Sequence, residues 1–245
     1  MSKEPIREKE KRGWGIVRNV IINADDFGLC RGVNYGIMDS HRFGIVNSAT
    51  MLVNMPGTEH AVELARLYPE LQVGIHLTLT CGRPASGGVS SLIDESGFFR
   101  YTSRIFEEKE IDVDQVELEW ETQIDRFLSF GLPLSHMDSH HHVHSFPPLI
   151  PVVKRLSERY GVPVRNAFGN DIEGMNRLTD RFSMDFYGEG VSVEGLKRIL
   201  GSRSEGETLE IMCHPAYVDS FLKENSSYCE QRLRELDVLT SDDLL

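Results

Sequence analysis

The chain has 245 residues, of which 40% are hydrophobic and 26% charged, with a formal net charge of −12. That length suits one large domain around one core, and the acidic balance excludes a broad electrostatic grip on nucleic acid or a membrane surface, both of which need a positive face. The four cysteines are scattered without a C-x-x-C pair, the N-terminus has no signal-type apolar stretch and no window approaches a membrane span, a pattern that reads as a cytoplasmic protein with reduced thiols.

Residues 1–15 are highly charged and read as a flexible extension; residues 16–245 read as one domain. Val20-Ile21-Ile22 predicts a buried strand ending at Asn23-Ala24-Asp25-Asp26, and residues 32–43 a helix with Val33, Ile37 and Met38 on one side. A strand over 48–53 precedes a helix carrying Ala61, Val62, Leu64 and Ala65, and residues 71–79 have the composition of a third strand. Residues 80–111 contain Gly82, Pro84, Gly87, Gly88 and Gly97 and predict a long irregular loop, which in a compact domain is usually functional.

Val113, Val116, Trp120, Ile124, Phe127 and Leu128 mark a helix over 113–130. A fourth strand over 134–137 runs into Ser-His-Met-Asp-Ser-His-His-His-Val-His, which holds five of the nine histidines. Then follow a helix through Leu149 and Tyr160, a short strand over 162–165, a helix over 193–200, a strand over 209–213 and a helical start to the tail from 228. Such a succession of βα units gives an open doubly wound sheet or a closed barrel, and periodicity leaves both open. In either, the carboxyl ends of the strands gather on one face, where the active site lies.

The polar residues at those ends are Asp25 and Asp26, Asn54, His76, Asp138 with His140, Arg165 and Asn166, and His214. Two histidines and an aspartate from separate strands offer three ligands to one divalent cation, with further positions open to water and substrate. Each residue has a plainer alternative. The histidine run could be a surface tract, and its alternation would put Asp138, His140, His142 and His144 on one side with His141 on the other. Asp25 and Asp26 could cap a helix, and His76 and His214 could be buried structural histidines. There is no G-x-S-x-G elbow, phosphate loop, H-E-x-x-H or G-x-G-x-x-G.

Asn23-Ala24-Asp25-Asp26-Phe27-Gly28-Leu29, Gly74-Ile75-His76-Leu77, His136 to His144 and Cys213-His214-Pro215-Ala216 occur in that order. Together they resemble the YdjC family of carbohydrate deacetylases, and within it the chitooligosaccharide deacetylases, from about Val20 to Leu245, including Glu235-Leu236-Asp237-Val238-Leu239-Thr240-Ser241 near the end. The charged start falls outside the resemblance, and those relatives usually run on beyond Ser241-Asp242-Asp243. The resemblance implies a single-domain α/β fold, a distorted TIM-like (β/α) barrel of parallel strands with its site at their carboxyl ends. It also implies a divalent cation, magnesium or alternatively zinc, held by Asp26, His76 and His140, with Asp25 as general base and His214 as general acid.

The expected reaction removes an N-acetyl group from a chitooligosaccharide such as diacetylchitobiose or its 6-phosphate and releases acetate. Asn54, Asp138, His142 and Arg165 are the expected substrate contacts, with Arg83 or Arg165 available to a phosphate. Among the aromatic residues, Phe98, Phe99, Tyr101, Phe146, Phe186 and Tyr187 could face a sugar. The partner expected is a small acetylated oligosaccharide, with a homodimer as the candidate assembly. A non-haem Fe(II) oxygenase, which also uses two histidines and a carboxylate, and a non-catalytic metal- or sugar-binding protein are the competing readings.

Overall fold

Short apolar runs that alternate with amphipathic helices fold as parallel strands covered by those helices. A computed structural model describes residues 19–244, so the charged extension over 1–15 lies outside the described residues. In chain order the elements are β1 (Val20–Phe27), α1 (Arg31–Phe43), β2 (Ser48–Met51), α2 (Thr58–Leu67), β3 (Gln72–Leu77), α3 (Val113–Ser129), β4 (Met137–Ser139), α4 (Ile150–Tyr160), β5 (Arg181–Ser183), α5 (Val193–Gly201), β6 (Leu209–Cys213), α6 (Ser220–Asn225) and α7 (Glu230–Leu239). The sheet runs β4-β3-β2-β1-β6-β5 with every pairing parallel.

The sheet curls into a distorted TIM-like barrel whose seam is bridged by single residues. Val164 pairs with Met137 of β4 on one side and with Arg177 on the other, and the chain then enters β5. The strand expected over 162–165 is thus only a bridge. Pro163 has no N–H to give to a ladder. Met137 N–H reaches the Pro163 carbonyl (2.9 Å) and Arg165 N–H the Met137 carbonyl (3.0 Å) on one side, and Val164 N–H reaches the Asn176 carbonyl (2.8 Å) and Leu178 N–H the Val164 carbonyl (2.7 Å) on the other. The fourth strand falls over Met137–Ser139 rather than 134–137, and β5 and α6, both short, were not expected.

Helix stripes close the core. Val33 and Ile37 of α1, Trp120, Ile124 and Phe127 of α3, and Val152 and Leu156 of α4 are all buried. On α1, Gly36 lets the segment after β6 lie directly against the helix, since a Cβ there would come within 2.4 Å of the Ala216 Cα. Tyr217 N–H then reaches the Gly32 carbonyl at 3.0 Å, which fixes the path of the chain just beyond His214.

The long connection between β3 and α3 is irregular, as expected, with one-turn helices at Ser90–Leu92 and Ile105–Glu107. Its start is tied down from α3. Buried Glu119 accepts from the Ala85 N–H (2.8 Å), the Ser86 N–H (2.9 Å) and the Ser86 hydroxyl (2.6 Å). One turn on, Gln123 accepts from the Thr78 N–H and donates to the Thr78 carbonyl, both at 2.9 Å. Replacing Glu119 with Ala strands these donors and should cost about 2 kcal/mol in a denaturant titration. Hydrogen exchange at the Ala85 and Ser86 amides should accelerate with it; unchanged exchange there would mean that other contacts hold the loop.

Candidate active site

β1 carries two adjacent aspartates into the barrel because it is bulged at that point. The β1–β2 register passes from Ala24↔Ala49 to Phe27↔Met51, so an extra residue of β1 is accommodated between the two pairs. Asp26 adopts φ 68°, the left-handed region that non-glycine residues seldom occupy. Strict alternation would send Asp25 and Asp26 to opposite faces; the bulge lets both reach inward. Backbone strain of this kind tends to collect at functional sites.

Asp26, His76 and His140 each offer one donor atom, and these atoms lie within 4.8 Å of one another. His76 Nε2 is 3.4 Å and His140 Nδ1 3.0 Å from the same oxygen, Asp26 Oδ1. A divalent ion about 2.0–2.2 Å from each ligand needs donors roughly 3–4 Å apart, so the residues fit such an ion. The other atoms of two ligands are already oriented. His76 Nδ1 meets Asp138 Oδ1 at 2.6 Å, which leaves Nε2 toward Asp26. Asp26 Oδ2 accepts from Arg232 Nη2 at 2.6 Å, which leaves Oδ1 toward the histidines. Carboxylate–imidazole pairs of this type are how proteins fix metal-ligating histidines.

Beneath this group lies Arg165, 0% exposed. Its guanidinium donates to both Asp25 oxygens at 2.6 and 2.7 Å, lies 2.8 Å from Asp138 Oδ2, and reaches Glu210 Oε1 at 2.8 Å. Burial alone would raise the Asp25 carboxyl, but Arg165 holds it well below the usual carboxylate range. Asp26 is likewise held low against its burial, by Arg232 and His140. Burial pushes Glu210 up to about 7 despite Arg165. Carboxylates therefore outnumber guanidiniums in this buried network, and the surplus is felt at His76. Burial would lower its imidazole, yet Asp138, Asp26 and Asp25 push it up to about 10. The site draws positive charge to the spot where a cation would sit.

The remaining expected residues separate. His214 follows β6, whose Cys213 pairs with Ala24 of β1, so it emerges beside Asp25. It is slightly exposed, at 12%, with its backbone N–H donating to Glu235 Oε2 and its Nδ1 3.8 Å from Glu235 Oε1. Among the expected substrate contacts, Arg165 and Asp138 are buried, and their polar atoms are engaged with one another and with Asp25, Glu210, His76 and Thr50. Asn54 donates to the carbonyls of Cys81 and Arg83, so it pins the loop, and its Oδ1 is buried without a partner.

The alternation expected in the histidine run does not hold either. His141 and His142 both adopt φ 54°, which turns the chain out of strand geometry directly after His140. His141 meets Thr80 Oγ1 at 3.0 Å on the exposed side. His142 packs edge-on to Phe182 and His144, and wholly buried His144 bonds Ser139 Oγ at 2.7 Å. One histidine of the run joins the candidate cation site; the others pack, orient or line its edge.

Three site residues escaped sequence reasoning. Arg232 and Glu235 sit one turn apart on α7, and both are buried. Their spacing in Arg-Leu-Arg-Glu-Leu resembles an ordinary solvated helix face. Glu210 had a visible signal, a carboxylate within the otherwise apolar Leu209-Glu210-Ile211-Met212-Cys213.

The fold and site together define a (β/α) barrel with two histidines and an aspartate, grouped so that they could hold a metal ion, at its carboxyl mouth. The chain belongs to the YdjC-like protein family, whose model matches residues 19–245. It is 49% identical over 224 residues to a carbohydrate deacetylase of Halalkalibacterium halodurans, covering 90% of this chain and 94% of that one. A carbohydrate deacetylase of Geobacillus stearothermophilus is 46% identical over 231 residues, covering 93% and 91%. A crystal structure from Enterococcus faecalis, named as a candidate cellobiose-phosphate cleavage protein, superposes with a TM-score of 0.85 at 39% identity over 92% of this chain and 91% of that one.

The charge on His76 makes cation binding a proton-linked event. With its imidazole raised to about 10, the metal-free site carries a proton on His76 at neutral pH, and a ligand nitrogen must lose it. Binding of Zn2+ or Mg2+ at pH 7.5 should therefore release about one proton per ion, and affinity should fall as pH falls. Calorimetry in buffers of different ionisation enthalpy measures this; proton release unchanged in His76→Ala would contradict it.

Proposed function

We propose that the protein is a metal-dependent carbohydrate deacetylase that hydrolyses the N-acetyl amide of a small acetylated oligosaccharide, such as N,N′-diacetylchitobiose or its 6-phosphate, and releases acetate. The observation that carries the reading is the convergence of Asp26, His76 and His140 around one point, with Asp25 and His214 emerging side by side from β1 and β6. The named activity of relatives at 46–49% identity supports the carbohydrate amide as substrate.

Amide hydrolysis needs an activated water, relief of charge on the carbonyl oxygen and a proton for the departing nitrogen. A divalent cation, magnesium by family resemblance and zinc by the liking of that ion for imidazole, supplies Lewis-acid polarisation when bound. Asp25 is the general base. Arg165 keeps it ionised, and Oδ2, with one hydrogen-bond donor against two on Oδ1, retains an acceptor position for a proton from water. His214, whose backbone N–H is held by Glu235, gives its proton to the sugar nitrogen as the C–N bond breaks. Water contributes the hydroxyl that becomes part of acetate. Arg165, wholly buried on three carboxylates, is not the guanidinium for a substrate phosphate; exposed Arg83, over the Phe98 ring at 4.1 Å in the loop after β3, is assigned that part.

Acetate release from N,N′-diacetylchitobiose should stop on chelation, return with added cation and proceed without oxygen, which separates it from oxygenase chemistry. Asp25→Asn and His214→Ala should each lower kcat by ~10²–10⁴ while the protein retains its ion. Turnover at wild-type rate in both variants would remove these roles.

A further inference from the structure

Sequence offered six aromatic residues to a sugar, and burial separates them. Phe99, Tyr101, Phe146 and Phe186 are buried, whereas Phe98 and Tyr187 are 44% and 47% exposed. One face of Phe98 is already covered by Arg83. Tyr187 lies in the turn just after β5, at the carboxyl mouth of the barrel.

The Tyr187 ring is stacked on Tyr228, with centroids 4.1 Å apart and planes 8° from parallel. Tyr228 is itself fixed at its hydroxyl, which donates to Glu235 Oε1 at 2.6 Å and accepts from the Gly188 N–H at 2.9 Å. Gly188, at φ 56°, takes the left-handed turn that follows Tyr187. The His214 ring is nearly equidistant from the two tyrosines, 5.6 Å from Tyr187 and 5.8 Å from Tyr228. It therefore sits beside the stack and does not cover the outer face of Tyr187.

A flat, preorganised aromatic face next to a proton donor is suited to the apolar C–H face of a pyranose, and such rigid rings bind with small entropic loss. We propose that the outer face of Tyr187 is a sugar subsite, occupied by the pyranose whose nitrogen leaves. The assignment rests on the deacetylase reading above: His214 protonates that nitrogen, so the sugar bearing it must lie beside His214, and Tyr187 is the exposed ring there. Glu235 couples the two, because it holds the backbone of His214 and the hydroxyl of Tyr228 that backs the platform.

The test compares wild type with Tyr187→Ala, Tyr187→Leu and Tyr187→Phe, by steady-state acetate release from N,N′-diacetylchitobiose and by calorimetric binding of the fully deacetylated glucosamine disaccharide. Loss of the flat face in Ala and Leu should raise KM and the disaccharide Kd by ~10-fold, with kcat within about threefold and Phe near wild type. Metal content and Tm report whether each variant is folded, and Leu retains apolar packing on Tyr228 should Ala not fold. KM and Kd within about twofold of wild type in Ala or Leu would overturn the subsite. Weakened disaccharide binding in a protein whose wild type releases no acetate would keep the subsite and reject the deacetylase reading. A wild type that neither cleaves nor binds these sugars would reject both.

Discussion

The ion pairs of Arg165 are the constraint on which the rest of the site depends. A guanidinium buried at 0% exposure is tolerable only if its donors are satisfied and its charge is met. Here Asp25, Asp138 and Glu210, from β1, β4 and β6, do both. Because the three come from different strands, one side chain sets the positions of two neighbours of the candidate cation site: Asp25, and Asp138, which in turn holds His76. Removing it would leave uncompensated buried carboxylates, so the arrangement functions as a unit. Arg232 has the corresponding role on the other side through Asp26.

The network favours positive charge at the mouth. Carboxylates exceed guanidiniums, and the excess lies nearest His76 and Asp26. That excess pushes the imidazole of His76 up to about 10 against its burial, the same pull that would favour a divalent ion there. The outer parts of the mouth are built from elements remote in sequence. α3 ties down the loop after β3 through Glu119 and Gln123, while α7 holds Asp26 and His214 through Arg232 and Glu235.

Much of this was legible in the sequence, because strand-length apolar runs ended at ionisable residues. β1, β2, β3 and β6, and the helices α1 to α5, fall close to where periodicity put them. Asp25, Asp26, His76, His140 and His214 are found at strand ends on one face. The failures have physical causes. Alternation could not foresee the bulge at Asp26 or the left-handed turns at His141 and His142, since these answer to tertiary contacts and not to local pattern. The burial of Arg165 was not legible because a strand-end arginine and a buried structural arginine have the same local sequence. Arg232 and Glu235 gave no sign of their place at the site, although Glu235 stands in a family-like stretch, because a helix face directed at a distant site has the same composition as one directed at water.

If Asp26, His76 and His140 hold one divalent cation, anomalous diffraction from crystals grown with Mn2+ or Zn2+ should show one strong peak bonded to Asp26 Oδ1, His76 Nε2 and His140, with Asp138 and Arg232 still on the outer atoms of those residues. A peak held instead by His141, His142 or surface carboxylates, with no density between the three residues, would contradict it.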